Sequence, residues 1–205
     1  MKLLHIDSSV LGAYSASREL SAAVVNTWQQ RHPGSSVVYH DLASAPLAHF
    51  SAEVLGARMN PETKLSDEQR RDVDAGNRAL DEFLAADVIV IGTPMYNFSV
   101  PSQLKAWIDR IAVAGKTFKY SATGVEGLAK GKKVIIVSAR GGFYGADTQM
   151  AGLDFQEGYL RGLFGFLGVS DVEFVRAEGL NISPEQRGKS IESAHQTIQS
   201  ELLAA

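Results

Sequence analysis

"DVIVIGTPMYNFSVP", Asp87 to Pro101, joins two unlike kinds of sequence. Its first half is a near-continuous apolar run, as a strand covered on both faces requires. Its second half sets methionine, tyrosine, asparagine and phenylalanine where that strand must end. A turn needs only glycine, proline, asparagine or serine. Aromatic residues at a strand's exit either pack on the neighbouring layer or make a wall for a flat ligand, and both readings stay open here.

Working outward, four more strand candidates flank "DVIVIGT" (87–93): "KLLHID" (2–7), "SVVYHDL" (36–42), "KKVIIVSA" (132–139) and "DVEFVRAE" (171–178). Helical stripes lie between them. Leu20, Val24 and Trp28 form one, and Val73, Asn77, Leu80 and Leu84 another. Leu104, Ile108 and Ile111 form a third, and Leu160, Leu163, Phe164 and Leu167 a fourth. Ser66 to Gln69 and Ser183 to Gln186 fit the capping box, and Gly168 is placed to end the fourth of these helices. Strands alternating with helices predict an α/β fold: a doubly wound, five-stranded parallel sheet with helices on both faces. One domain over 1–205 suffices for this plan. Residues 43–65 are the longest irregular stretch and have room for a short helix.

Composition narrows the function. With 20 basic and 23 acidic residues the net charge is −3, which gives no electrostatic case for nucleic acid or an anionic membrane surface. Cysteine is absent, so disulfides, thiolate chemistry and cysteine-based metal sites are excluded. His5, His32, His40, His49 and His195 are scattered without ligand spacing, and no metal site is expected. Asp7 cuts the N-terminal apolar stretch short, and no run approaches the roughly 18 apolar residues of a membrane helix. A cytoplasmic protein is expected.

In a doubly wound sheet, ligands sit beyond the carboxyl ends of the strands. Three loops leave such ends with unusual chemistry. The first, Ser8 to Leu20, has neither the GxGxxG nor the P-loop spacing; Gly127 to Gly131-Lys132 is one residue short of the latter. It offers Ser8, Ser9, Ser15 and Ser17 just before a helix, and hydroxyls with free N–H groups at a helix N-terminus suit a phosphate. Its plainer reading makes Ser17 the N-cap. The second loop, Thr93 to Pro101, offers backbone around Asn97 and Phe98 for a heterocycle's edge, with Tyr96 or Phe98 for its face. The third, Ser138 to Gly145, brings Arg140-Gly141-Gly142: a backbone able to approach a ligand closely, beside a cation suited to negative charge on a ring. An ordinary glycine turn with a surface arginine is its plainer reading. Together the three describe one mononucleotide site.

These residues resemble the FMN-dependent NADH azoreductases, flavodoxin-like enzymes also described as NADH:quinone oxidoreductases. The likeness is carried by Ser8-Ser9, "YSAS" (14–17), "PMYNF" (94–98), "LKAW" (104–107), "RGG" (140–142), "GLAKGKK" before the fourth strand and "GFLG" (165–168), and it runs from end to end. It implies that Ser9, Ser15, Ala16 and Ser17 cradle the phosphate of a tightly, noncovalently bound FMN. Met95, Tyr96, Asn97 and Phe98 would hold the isoalloxazine, and Ala139, Arg140, Gly141 and Gly142 its pyrimidine side. Ala139 departs from the family's usual serine, with backbone contacts and neighbouring Ser138 as the compensation. The resemblance further implies hydride transfer from NADH through FMN to quinones or azo compounds, with no protein acid or base. It implies a homodimer whose partner completes the site, for which Phe118, Tyr120 and Phe166 are the candidates. Three alternatives stay open: a flavodoxin-type electron carrier, a flavin-binding module without turnover, and a serine hydrolase using Ser9 or Ser138, although no GxSxG elbow is present.

Overall fold

The computed structural model of the chain describes residues 1–60, 62–122 and 124–200. β1 (Lys2–Asp7), β2 (Ser36–Asp41), β3 (Val88–Pro94), β6 (Lys133–Ala139) and β7 (Asp171–Ala177) form one parallel sheet in the order β2-β1-β3-β6-β7. All five expected strands are therefore present, each within about one residue of its expected bounds. The unbroken apolar runs have a direct cause. Ile89 and Ile91 of β3 enter a core on one face of the sheet, while Val88 and Val90 enter a second core on the other. The first core is closed by α3 (Asp67–Ala85), α4 (Ser102–Ile111) and α5 (Phe155–Leu167), through Phe83, Trp107 and Phe164. The second is closed by α1 (Ala16–Arg31) and α6 (Pro184–Ser200), through Leu20, Val24, Trp28 and Ile198. Each such aliphatic or aromatic side chain contributes about 1.5–3 kcal/mol of burial.

Local signals decide most boundaries. Gln69 N–H donates to Ser66 Oγ (3.2 Å) and Ser66 N–H to Gln69 Oε1 (2.8 Å), a complete capping box. The second expected box is half made. Gln186 N–H donates to Ser183 Oγ (3.1 Å), but the Gln186 side chain donates onward to Ser190 (3.0 Å). Gly168 ends α5 in the left-handed conformation at φ 96°. The short helix in 43–65 is α2 (Ala52–Met59), and Arg58 ties it to α4 by donating to the carbonyls of Asp109 and Arg110.

Two features differ from expectation. The buried face of α3 is Gly76, Ala79, Leu80 and Phe83, so the stripe through Val73, Asn77 and Leu84 is out of phase by about one residue. Phe83 sets the phase by meeting Trp107 edge-on at 6.1 Å, and the bare Gly76 leaves room for the Arg110 side chain. The segment "KTFKY" also carries a strand. β4 (Phe118–Ser121) pairs antiparallel with β5 (Gly124–Gly127) beside the main sheet.

Candidate functional site

The chain crosses back over β1 to lay down β3, so the switch point of the sheet lies between the carboxyl ends of these two strands. Register brings the exits together: Asp7 lies beside Gly92, Gly92 beside Val137 and Pro94 beside Ala139. The three unusual loops therefore leave the sheet side by side.

At the exit of β1, Ser8 donates to the Gly92 carbonyl from both its N–H and its hydroxyl, each at 3.0 Å. A short 3-10 turn, Gly12–Tyr14, then delivers Ser15 as the N-cap of α1, its hydroxyl accepting from Arg18 N–H at 3.3 Å. The cap is thus Ser15, and the plainer reading that makes Ser17 the cap fails: Ser17 lies inside the first turn. Its hydroxyl is fully buried and has Ser15 Oγ as a partner at 3.1 Å. Ser9 is equally buried and meets the Tyr96 hydroxyl at 3.4 Å. Arg18 fixes the loop from behind by donating to the Ser9 carbonyl from Nε (3.2 Å) and a terminal nitrogen (2.8 Å). It is also paired with Asp41, whose carboxyl it holds below the ordinary range.

At the exit of β3, Tyr96 and Ser99 exchange both backbone hydrogen bonds (3.0 and 3.1 Å). The two residues between them are left-handed, Asn97 at φ 48° and Phe98 at φ 71°. Such turns favour glycine at the second position, and phenylalanine there stores strain of order 1–3 kcal/mol. The Phe98 side chain is exposed, and its ring stands edge-on to Tyr144 at 6.3 Å.

At the exit of β6 the structure corrects the reading of Arg140. Its guanidinium is buried among Asp154 (2.8 Å), Glu178 (3.1 Å) and Glu157 (3.4 Å), so it is neither a surface group nor a charge free for a ligand ring. Burial pushes the Glu157 carboxyl up, but hydrogen bonds from Arg176 and Arg161 outweigh this and hold it below the ordinary range. Arg140 Nε donates to Ser138 Oγ (2.9 Å), Ser138 donates to Gln156 Oε1 (2.5 Å), and Gln156 donates to the Pro94 carbonyl (2.9 Å). This buried relay locks the second and third loops together. It also commits the Ser138 hydroxyl, which is therefore available neither to compensate for Ala139 nor to act as a nucleophile. Ser21 lies 3.0 Å from His5 Nε2, but Ser21, His5 and Asp7 form no triad, because Ser21 donates straight to Asp7 (2.7 Å) instead of through His5. Among the described residues no cluster of His, Asp or Glu is arranged to hold a metal.

The loops enclose a cup of about 160 Å³, lined by Ser9, Ser15, Ala16, Ser17, Met95, Tyr96, Ala139, Arg140 and Gly141. Asn97 instead lines an adjoining open cleft of about 630 Å³, which shares Tyr96 with the cup and ends at Tyr159. Phe98 and Gly142 line neither cavity. Burial, followed by the nearby Asp109, pushes the Tyr159 phenol up to about 12, so it stays a proton-bearing donor at neutral pH. The cup also contains Leu180, Asn181 and Arg187, from the exit of β7 and the start of α6. Sequence reasoning passed over them, although the strand-exit rule applied equally to "EGLNIS" (178–183). Asn181 N–H donates to the Gly141 carbonyl (3.0 Å), and a Cβ on Gly141 would lie 2.6 Å from the Asn181 amide nitrogen.

The donor set suits FMN. Among the described residues the buried Ser17 hydroxyl has only Ser15 Oγ as its partner, and Ser9 meets the Tyr96 hydroxyl and the Leu11 N–H. These hydroxyls stand beside first-turn N–H groups lacking intrahelical acceptors, a set that suits an anion. A cleft walled by Tyr96 adjoins them for a flat ring. Phe118, Tyr120 and Phe166 are not in this site. They form a separate aromatic cluster, Phe118 being 4.6 Å from Phe166 and 5.5 Å from Tyr120, with Tyr120 73% exposed.

Comparison with known proteins agrees with this geometry. The family described as having a flavodoxin-like fold matches residues 1–202. An FMN-dependent NADH:quinone oxidoreductase of Chromobacterium violaceum is 52% identical over 198 residues, covering 97% of this chain and 98% of that protein. One from Pseudomonas putida is 52% identical over the full length of both. Among solved structures, an azoreductase from Bacillus anthracis superposes with a TM-score of 0.87 at 29% identity, covering 97% of this chain and 96% of that one. An FMN-dependent NADH-azoreductase from the same species, solved in complex with FMN, gives 0.85 at 27% identity, covering 97% of each chain. The chain belongs to the FMN-dependent NADH:quinone oxidoreductases, flavoenzymes of flavodoxin-like fold.

Proposed function

We propose that this protein holds FMN across the cup and the adjoining cleft and uses it to carry electrons from NADH to quinones, with azo compounds as a second class of acceptor. The observation that carries the reading is the convergence of four strand exits, those of β1, β3, β6 and β7, on one cup of buried hydroxyls, opening beside Tyr96 into a broad cleft. Bound FMN supplies the chemistry, accepting hydride from the nicotinamide and passing two electrons to the acceptor. Ser9, Ser15, Ala16 and Ser17 hold its phosphate. Met95, Tyr96 and Asn97 hold the ring system from the cavity walls, with Phe98 beside them on the same turn, and the backbone of residues 139–141 borders its pyrimidine edge, with Gly142 next in the loop. The strained Asn97-Phe98 turn keeps two peptide groups fixed for that purpose, and the buried relay from Arg140 to Pro94 keeps the two ring-facing loops in register. The protein thus supplies binding and orientation, with no titrating acid or base. The whole chain, 1–205, acts as one such domain, placed in the cytoplasm with its NADH supply.

Because donor and acceptor enter the same cleft in turn, initial rates with NADH and menadione should give parallel double-reciprocal lines. Intersecting lines that persist across acceptors would mean both ligands bind together and would defeat the shared-cleft reading. Quinones should be reduced faster than azo dyes.

The reading includes a homodimer. Its support is the exposed Tyr120 on the β4–β5 hairpin, part of an aromatic cluster that lies outside both the cup and the cleft of its own chain. If Tyr120 walls the partner's cleft, Tyr120→Ala should raise the acceptor KM several-fold while FMN stays bound. A fully active monomer by light scattering would remove the claim.

A further inference from the structure

Resting on the FMN reading above, we infer that Arg187 supplies the net positive charge of the phosphate cup and makes the site select phosphorylated over unphosphorylated flavin. Three arginines surround the cup, and their charges are disposed differently. Arg18, behind it, is paired with Asp41, and Arg140, in its wall, is surrounded by three carboxylates. Arg187 lines the same cavity as Ser9, Ser15 and Ser17, yet among the described residues no carboxylate lies within ion-pairing distance of it. The acidic groups nearest in sequence or on the facing helix are engaged elsewhere. Glu185 pairs with Lys189 at 2.6 Å, Glu19 meets His195 at 3.3 Å, and Glu178 belongs to Arg140.

The guanidinium is also aimed. One terminal nitrogen donates to the Tyr14 carbonyl at 3.3 Å, immediately before the Ser15 cap, which places the cation at the mouth of the cup. The remaining N–H groups are left for a ligand. A guanidinium meets a phosphate through paired, charge-assisted hydrogen bonds, which are about twice as strong as neutral ones. Riboflavin presents a neutral hydroxyl in place of that dianion and gains little from the cation. The competing role is a latch, in which Arg187 merely holds the Tyr14 carbonyl. A neutral amide donor would do that as well.

The test is a titration of the full-length apo-protein with FMN and, separately, riboflavin, followed by quenching of flavin fluorescence. Wild type, Arg187→Gln and Arg187→Lys are compared at low and high salt, with apo-protein melting alongside. Arg187→Gln keeps a donor for Tyr14 and loses the charge. It should raise the FMN Kd about tenfold at low salt, less at high salt, and leave the riboflavin Kd within about twofold. Arg187→Lys should recover most of the loss, and it decides the matter if the glutamine variant melts early. Equal weakening toward both flavins would make Arg187 a latch and overturn the inference. So would an unchanged FMN Kd accompanied by a raised NADH KM, which would assign the charge to the dinucleotide's phosphates. A wild type that binds neither flavin would instead refute the FMN reading itself.

Discussion

Ser17→Asp is expected to yield a folded protein that no longer retains FMN. Ser17 is fully buried in the first turn of α1, and the capping work is done by Ser15. An aspartate in the first turn gains about 0.3–1 kcal/mol from the helix dipole, while desolvation of its carboxylate at this buried position lowers apo stability, so apo-protein melting is read beside the binding to separate the two effects. The flavin meets two losses. A hydrogen bond to a charged phosphate, about 1.5–3 kcal/mol, disappears. A carboxylate also arrives beside that phosphate, where like charges about 4 Å apart cost on the order of 4 kcal/mol at an effective dielectric near 20. Together they predict an FMN affinity lower by about a thousandfold or more. Ser17→Ala, which loses only the hydrogen bond, should lose about ten- to a hundredfold. Ser15→Ala should in addition lower apo stability by about 1 kcal/mol, because it removes the cap. Fluorescence quenching of added FMN and apo-protein melting read both quantities. Unchanged affinity in Ser17→Asp would retire Ser17 as a phosphate ligand.

The second large effect comes from the glycine in the middle of the decisive stretch. A Cβ on Gly92 would lie 2.2 Å from Asp7 Oδ1, 2.8 Å from Ser21 Oγ and 3.0 Å from the Ser17 carbonyl oxygen. None of these can retreat freely. Asp7 is held by Ser21 (2.7 Å) and Tyr39 (3.2 Å), and the Ser17 carbonyl belongs to the first turn of α1. Gly92→Ala should therefore destabilise the protein by about 3 kcal/mol or more, which for a chain of this size lowers Tm by roughly 6–12 °C. Whatever folds should bind FMN poorly, because the displaced atoms include backbone of Ser17, which lines the proposed phosphate cup. Gly158→Ala is the control of opposite sign. Nothing lies within 4 Å of a Cβ on that helical glycine, and alanine there should stabilise by up to about 1 kcal/mol. Equal melting of wild type and Gly92→Ala would show that the β3–α1 contact is looser than described.

The sheet was legible because burial on both faces writes itself as unbroken valine and isoleucine, and β3 and β6 have such runs. The site was legible as far as strand exits determine it. What could not be read were relations between distant residues. Arg140 shows its charge in the sequence, but its neutralisation depends on Asp154, Glu157 and Glu178 arriving from α5 and the exit of β7. Ser15 and Ser17 are equally good caps by residue type, and only the 3-10 turn over Gly12–Tyr14 selects the first. The β4–β5 hairpin left no trace because "FKYS" and "GVEG" are short and mix lysine and glutamate with their few apolar residues. The phase of α3 was missed for a similar reason: a glycine, Gly76, sits on its buried face, where an apolar stripe was sought.

The central claim is that this chain binds FMN and passes electrons through it from NADH to a quinone. The visible spectrum of the purified protein tests this most directly, recorded after incubation with FMN and removal of the excess. The protein should be yellow, and boiling should release the pigment as FMN. Under nitrogen, NADH should bleach the flavin bands within the time of a single turnover, and menadione should restore them. A protein that retains no flavin, or a bound flavin that NADH leaves unbleached, would contradict the account.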